Sequence, residues 1–289
     1  MLAMPYNEQA VVFDCAGDSL IGVLSGAALS ARCGVLIVVG GPQYRVGSHR
    51  QFALLARHLA EHGVPALRFD YRGMGDSEGE VRTFEGVDAD IRCAIDRFFA
   101  SVPGLKDVVL WGLCDAASAA LFYAHQDARV SGLVLLNPWV RTEQGVARVH
   151  LRHYYLQRLF QPSLWHKVAR GEFEFRKAAV ALGKFVAATM GRGVPSRAVE
   201  KLPTGEAPLP DRMEAALRRF PGRVLLILSG NDLVAHEFND LVKHSHDWRR
   251  LLEGRRVTQH ELPEANHTFA RHEWREQVAR WTEEWVRSL

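Results

Sequence analysis

Three residues of the 289-residue chain have the types needed for acyl transfer by a thiol. Cys114 stands in "WGLCDAAS", Asp232 in "SGNDLV" and His267 in "EANHTF". A thiolate nucleophile needs a base beside it, and the base needs an orienting acid. Cys114 follows a strand-like run, Asp107 to Trp111, and precedes a run of small residues. A nucleophile on a sharp strand-to-helix elbow requires small residues two before and two after it, and Gly112 and Ala116 supply them. Taken alone, Cys114 reads more readily as a buried structural thiol, because cysteine is among the most buried residue types. Asp232 and His267 each follow a later apolar run, and the chain order nucleophile, acid, base turns the reading toward a triad.

Such a site also needs donors for the oxyanion of the tetrahedral intermediate. The backbone N–H of Asp115, next after the nucleophile, is one candidate. The other should come from the loop Gly40-Gly41-Pro42-Gln43-Tyr44. Pro42 has no N–H to give, so Gly41 is the first choice and Gln43 the second. The Asp115 side chain is ambiguous. It reads equally as a helix-capping group or as a negative charge that disfavours a thiolate beside it. Arg45, Arg50 and Arg72 fall near the expected mouth. There they would bind an anionic group of the substrate or form salt bridges within loops.

The elements that must position these residues alternate along the chain. Apolar runs at 11–13 and 20–24 read as an antiparallel opening pair, and "GVLIVVGG" (34–41) as a strand buried on both faces. A helical pattern over 49–63, a strand over 64–73 and a helix over 84–100 follow. Further strands are expected at 107–112, 130–139, 223–230 and 256–263, with helices at 115–124 and 237–252 and a closing helix. This alternation predicts an α/β fold with a mostly parallel, doubly wound sheet, whose ligands bind beyond the carboxyl ends of the strands. The alternation breaks between 141 and 220. Residues 1–140 and 221–289 therefore form the expected core, with 141–220 an inserted helical lid. From Arg141 to Arg223 there are 16 Lys+Arg against 7 Asp+Glu, in a chain of net charge +3. That local excess fits either an anionic partner or a solvated basic face.

Four cysteines without paired spacing predict neither a disulfide framework nor a zinc site, and reduced thiols fit the cytosol. The start "MLAMPYNEQAVVF" lacks the pattern of a signal peptide, and no apolar run reaches the length of a membrane span. The sequence calls for no cofactor or metal, and no nucleic-acid-binding motif is present.

The chain resembles an α/β-hydrolase over nearly its whole length. "FDYRGMGDSEG" (69–79) resembles the D-x-R-G-x-G-x-S loop of that fold, and "SGNDLV" and "NHTF" resemble its acid and histidine loops. More narrowly, "GGPQYRVGSHRQF", "LRFDYRGMGDSEG" and "WGLCDAASAAL" resemble the exosortase A system-associated hydrolase 1 group. The resemblance implies a bacterial, cytoplasmic protein from an exopolysaccharide and protein-sorting locus. It implies Cys114 as nucleophile, Asp232 as acid and His267 as base. Cysteine replaces the usual serine, Ala116 the usual second glycine, and Val39-Gly40 the common His-Gly. Dienelactone hydrolases and polyhydroxyalkanoate synthases also carry cysteine at this elbow. The expectation is a hydrolase of small-molecule or carrier-bound acyl esters or thioesters. An acyltransferase with the same triad, or a non-catalytic binding protein on the same fold, is the alternative.

Overall fold

The computed structural model describes residues 7–26, 31–41, 43–140 and 207–289. Within them, eight strands form one sheet in the order β1-β2-β4-β3-β5-β6-β7-β8. Strands β1 (Glu8–Cys15) and β2 (Asp18–Ser25) make an antiparallel hairpin. Its two-residue loop, Ala16-Gly17, has φ of 57° and 91°, the left-handed geometry that matches strand twist in a tight hairpin. The remaining strands run parallel to one another: β3 (Cys33–Val38), β4 (Ala66–Phe69), β5 (Asp107–Leu113), β6 (Val130–Leu136), β7 (Arg223–Asn231) and β8 (Val257–Asn266). The antiparallel join of β2 to β4 attaches the hairpin to this parallel set.

The central strands are apolar on both faces because helices cover both. Val35 and Ile37 of β3, with Val109 and Trp111 of β5, pack into one core with Phe52, Leu55 and Leu59 of α1 (Gln51–Glu61) and with Trp285 of the closing helix. On the other face, Phe98 of α2 (Asp88–Ser101) comes so close to Gly34 that a Cβ there would lie 2.6 Å from its ring. Helix α3 (Asp115–Ala124) follows β5 directly and is rich in buried alanine. Helix α4 (Leu209–Arg219) belongs, from Pro210 onward, to the same compact unit as the sheet. Of the lid expected over 141–220, the stretch 141–206 lies outside the described residues.

Two expected elements differ most. The strand expected over 64–73 covers only Ala66–Phe69, because Asp70 turns the chain into a loop with positive φ at Gly73, Gly75 and Gly79. The helix expected over 237–252 is two: α5 (Leu233–His244) and α6 (His246–Leu252). Ser245 breaks it with extended backbone and caps α6, its Oγ accepting from the Trp248 N–H at 3.3 Å. The closing helix is α7 (His272–Arg287). Among the described residues, no helix is long and apolar enough to cross a membrane.

The turn from β5 into α3 is closely packed. A Cβ on Gly112 would lie 2.5 Å from the Ala116 carbonyl oxygen and 2.7 Å from the Ala117 nitrogen. Both are backbone atoms and cannot swing aside. Gly112→Ala is therefore expected to destabilise the protein by about 2–3 kcal/mol. Urea denaturation of the variant measures it, and a wild-type midpoint would refute the crowding.

Candidate active site

Cys114 occupies the single residue between β5 and α3. Its φ of 63° and ψ of −123° lie where non-glycine residues rarely go. Holding a side chain there costs about 1–3 kcal/mol, which the surroundings must offset. They do so with hydrogen bonds on both sides of the residue. The Cys114 N–H donates to the Leu136 carbonyl at 2.8 Å, and its carbonyl accepts from Ala117 at 3.1 Å and Trp139 at 3.2 Å. The small neighbours read from the sequence follow from packing. Gly112 abuts the first turn of α3, and a Cβ on Gly40 would lie 2.9 Å from the Ala116 Cβ. Cys114 itself is partly exposed.

Asp232 stands at the end of β7 as the N-cap of α5, where its carboxylate accepts from the Val234 N–H at 3.2 Å and the Ala235 N–H at 3.3 Å. The same carboxylate lies 2.8 Å from His267 Nδ1. A group that is nearly buried and held by a helix terminus makes a rigid orienter for an imidazole. His267 follows β8 and interacts with the Cys114 side chain. Burial pushes its pKa down, but the hydrogen bonds to Asp232 and Cys114 outweigh this and raise it to about 10. The structure thus brings Cys114, Asp232 and His267 together.

The two expected oxyanion donors are engaged by a group of the protein itself. The Gly41 N–H donates to Asp115 Oδ2 at 2.7 Å. The Ala116 N–H donates to Asp115 Oδ1 at 3.0 Å, and the Asp115 N–H bonds its own carboxylate. Burial raises the Asp115 pKa, opposed by these N–H donors and by His267. Asp115 therefore does more than cap α3, since its carboxylate lies in the N–H cradle. Gln43, the second-choice donor, turns its side chain to accept from the Ser48 N–H at 3.1 Å.

Two of the three arginines expected near the mouth, Arg45 and Arg72, are held in ion pairs within the fold. Arg72 is buried and forms a two-pronged ion pair with Asp90, Nε at 3.0 Å and Nη2 at 2.9 Å. Arg45 pairs with the fully buried Asp70 and, at 2.6 Å, with Asp76. Both guanidiniums thus take the second of the two roles the sequence allowed, ion pairs within the fold. Their value is structural: Arg45 ties the loop carrying Gly41 to the glycine-rich loop after β4, and its own N–H donates to Asp70 Oδ1 at 2.6 Å.

Asn137 was not singled out by sequence reasoning. It is fully buried after β6. Its Nδ2 donates to Ser229 Oγ at 2.8 Å and to the His267 carbonyl at 3.2 Å, while its Oδ1 accepts from the Ser229 N–H at 2.9 Å. One amide thus fastens the end of β7 to the histidine loop. Its signal was present in "LLNPW", a polar residue just past a strand end.

Comparison with known proteins places these features in context. Residues 35–281 match the family described as "Alpha/beta hydrolase family". The esterase Pf2001 of Pyrococcus furiosus superposes with a TM-score of 0.64 over 98% of this chain and 91% of that one, at 13% identity. A dienelactone hydrolase of Anabaena variabilis gives 0.60 over 99% of both chains, at 16% identity. Among curated proteins, 94 residues are 31% identical to the polyketide transferase grgF of a Penicillium species, covering 30% of this chain. The chain spans about a third of the length of the curated relatives it matches.

Two outcomes are expected. The folded pKa of His267 lies above the ordinary 6.5, so the stability its charge contributes is full below about pH 6.5 and lost as pH rises through about 10. An NMR titration of His267 should accordingly show a midpoint near 10 that falls markedly in Asp232→Asn. Asn137→Ala removes three hydrogen bonds and strands a buried hydroxyl, which should cost about 2–4 kcal/mol in denaturant titration.

Proposed function

This chain belongs to the alpha/beta hydrolase family, and from that premise we propose that it cleaves ester or thioester bonds through an acyl-Cys114 intermediate. The observation that carries the reading is His267, bonded to Asp232 at 2.8 Å and interacting with Cys114. His267 holds the thiol proton while the Cys114 sulfur attacks the acyl carbon. The carbonyl oxygen becomes an oxyanion for the Gly41 and Asp115 N–H groups, each such donor being worth about 3–4 kcal/mol of barrier. His267 then protonates the departing alcohol or thiol, leaving a thioester on Cys114. Water, giving its proton to His267, attacks that thioester and releases the acid. The similarity to a polyketide transferase supports a second ending, in which an alcohol or thiol acceptor replaces water. The resemblance to the exosortase-associated group supports an acyl donor from a bacterial exopolysaccharide context.

The Asp115 carboxylate sets a condition on this cycle. A neutral carbonyl competes poorly with a carboxylate for the same N–H donors. Substrate gains the cradle when Asp115 turns away or takes a proton. Burial, by raising its pKa, makes protonation easier.

The test is acylation by p-nitrophenyl esters and acyl thioesters of several chain lengths, followed by mass spectrometry of the intact protein. Wild type should gain one acyl group on Cys114, and Cys114→Ala none. Turnover that survives in Cys114→Ala overturns the nucleophile assignment. Absence of any acyl-enzyme from wild type favours a binding protein on this fold. Asp115→Ala frees the cradle and should raise the acylation rate about tenfold, equivalent to roughly 1.4 kcal/mol of barrier.

A further inference from the structure

Away from the thiol site, helix α1 ends on two histidines one turn apart, His58 within it and His62 capping it. Residues at this spacing share a helix face. Glu283 of α7 completes a group in which one donor atom from each residue lies within 4.8 Å of the other two. We infer that His58, His62 and Glu283 form a binding site for a zinc-class divalent cation that clips the end of α1 to α7.

The hydrogen bonds around the three residues leave the donor atoms a metal needs. His62 Nδ1 lies 2.7 Å from the His58 carbonyl oxygen. A carbonyl can only accept, so Nδ1 carries the proton and Nε2 of the neutral ring keeps its lone pair. Metal-bound histidines are characteristically oriented in this way. Glu283 Oε1 accepts from Arg287 at 2.9 Å, which fixes the carboxylate and leaves Oε2 toward His58. His58 Nε2 is shut off from solvent and has no hydrogen-bond partner. Its distance to Glu283 Oε2 is 3.9 Å, too long for a hydrogen bond. A buried imidazole nitrogen and a carboxylate oxygen thus face one another with nothing joining them. A cation between them satisfies both.

Ligand chemistry selects the metal class. Two imidazoles and one carboxylate suit zinc and its borderline neighbours, whereas magnesium and calcium call for oxygen-rich shells. At bond lengths near 2.0–2.1 Å, tetrahedral ligand atoms sit about 3.4 Å apart, so the His58–Glu283 pair closes by roughly 0.5 Å and no pair by more than about 1.4 Å. Side-chain rotation supplies such movements. His62 is exposed, which leaves a fourth position for water. Arg280 and Arg287 stand beside the cluster and moderate its affinity. The Cys114 site shares no residue with it. The sequence showed no C-x-x-C or H-E-x-x-H pattern, and the third ligand lies 221 positions beyond His62, so the cluster is legible only in the fold.

The test uses the full, tag-free chain stripped with chelator. Zinc ions are titrated calorimetrically, and cobalt(II) reports geometry by its visible absorption. Wild type and Cys114→Ala should each bind one equivalent, with a tetrahedral cobalt spectrum free of a thiolate band and a zinc-dependent rise in melting temperature. His62→Ala, at an exposed position, and Glu283→Gln, of the same shape, should each weaken binding at least about tenfold and abolish the thermal shift. Absence of binding, unchanged binding in His62→Ala, or a loss of binding in Cys114→Ala would each overturn the proposal, the last by placing the metal at the thiol.

Discussion

Everything at the thiol site depends on how closely β5 is allowed to turn into α3. The turn has no spare residue. Gly112 ends against the backbone of Ala116 and Ala117, Gly40 lies against Ala116, and Cys114 is left with a left-handed φ of 63°. The strain lifts the thiol clear of the sheet toward the ends of the neighbouring strands. It persists because the neighbouring backbone, through Leu136, Ala117 and Trp139, holds the residue from both sides. A bulkier residue at 40, 112 or 116 would reopen the turn and carry the thiol away from His267.

The electrostatics are arranged around that fixed point. Asp232 and Asp115 are both carboxylates near His267, yet they have different surroundings. Asp232 is bonded to the imidazole and to the first turn of α5, and it holds the ring as a cation. Asp115 is bonded to backbone N–H groups and interacts with His267 only at longer range. One carboxylate therefore orients the base, while the other fills the cradle that the proposed chemistry needs. The same residue type does two jobs because one backbone points its carboxylate at a ring and the other at a loop.

That Cys114, Asp232 and His267 come together was legible because a parallel sheet delivers the residues after its strands to one edge, and the residue types there are scarce. That Gly41 lies beside them was legible for the same reason. Which of two roles Arg45 and Arg72 take was not legible, because their partners, Asp70 and Asp90, lie 25 and 18 positions away. Proximity to the mouth in sequence says nothing about a side chain already paired by the fold. The short β4 and the break at Ser245 were missed on a different ground. Apolar patterning runs through both, and only the Asp70 turn and the Ser245 cap interrupt it. Asn137 escaped notice because a buried amide looks unremarkable until its partners on β7 and in the histidine loop are seen.

The Asp115–Gly41 contact has a further consequence in the proposed hydrolysis. Its product is a carboxylic acid, ionised in neutral solution, and a ring of N–H groups would retain such a product. The chain holds a carboxylate of its own within bonding distance of that ring. A tethered competitor at high effective concentration needs no diffusion to return. Each time the acid is released, Asp115 can reclaim the donors and bar its return. Such an arrangement slows the admission of substrate but drives turnover forward by expelling product.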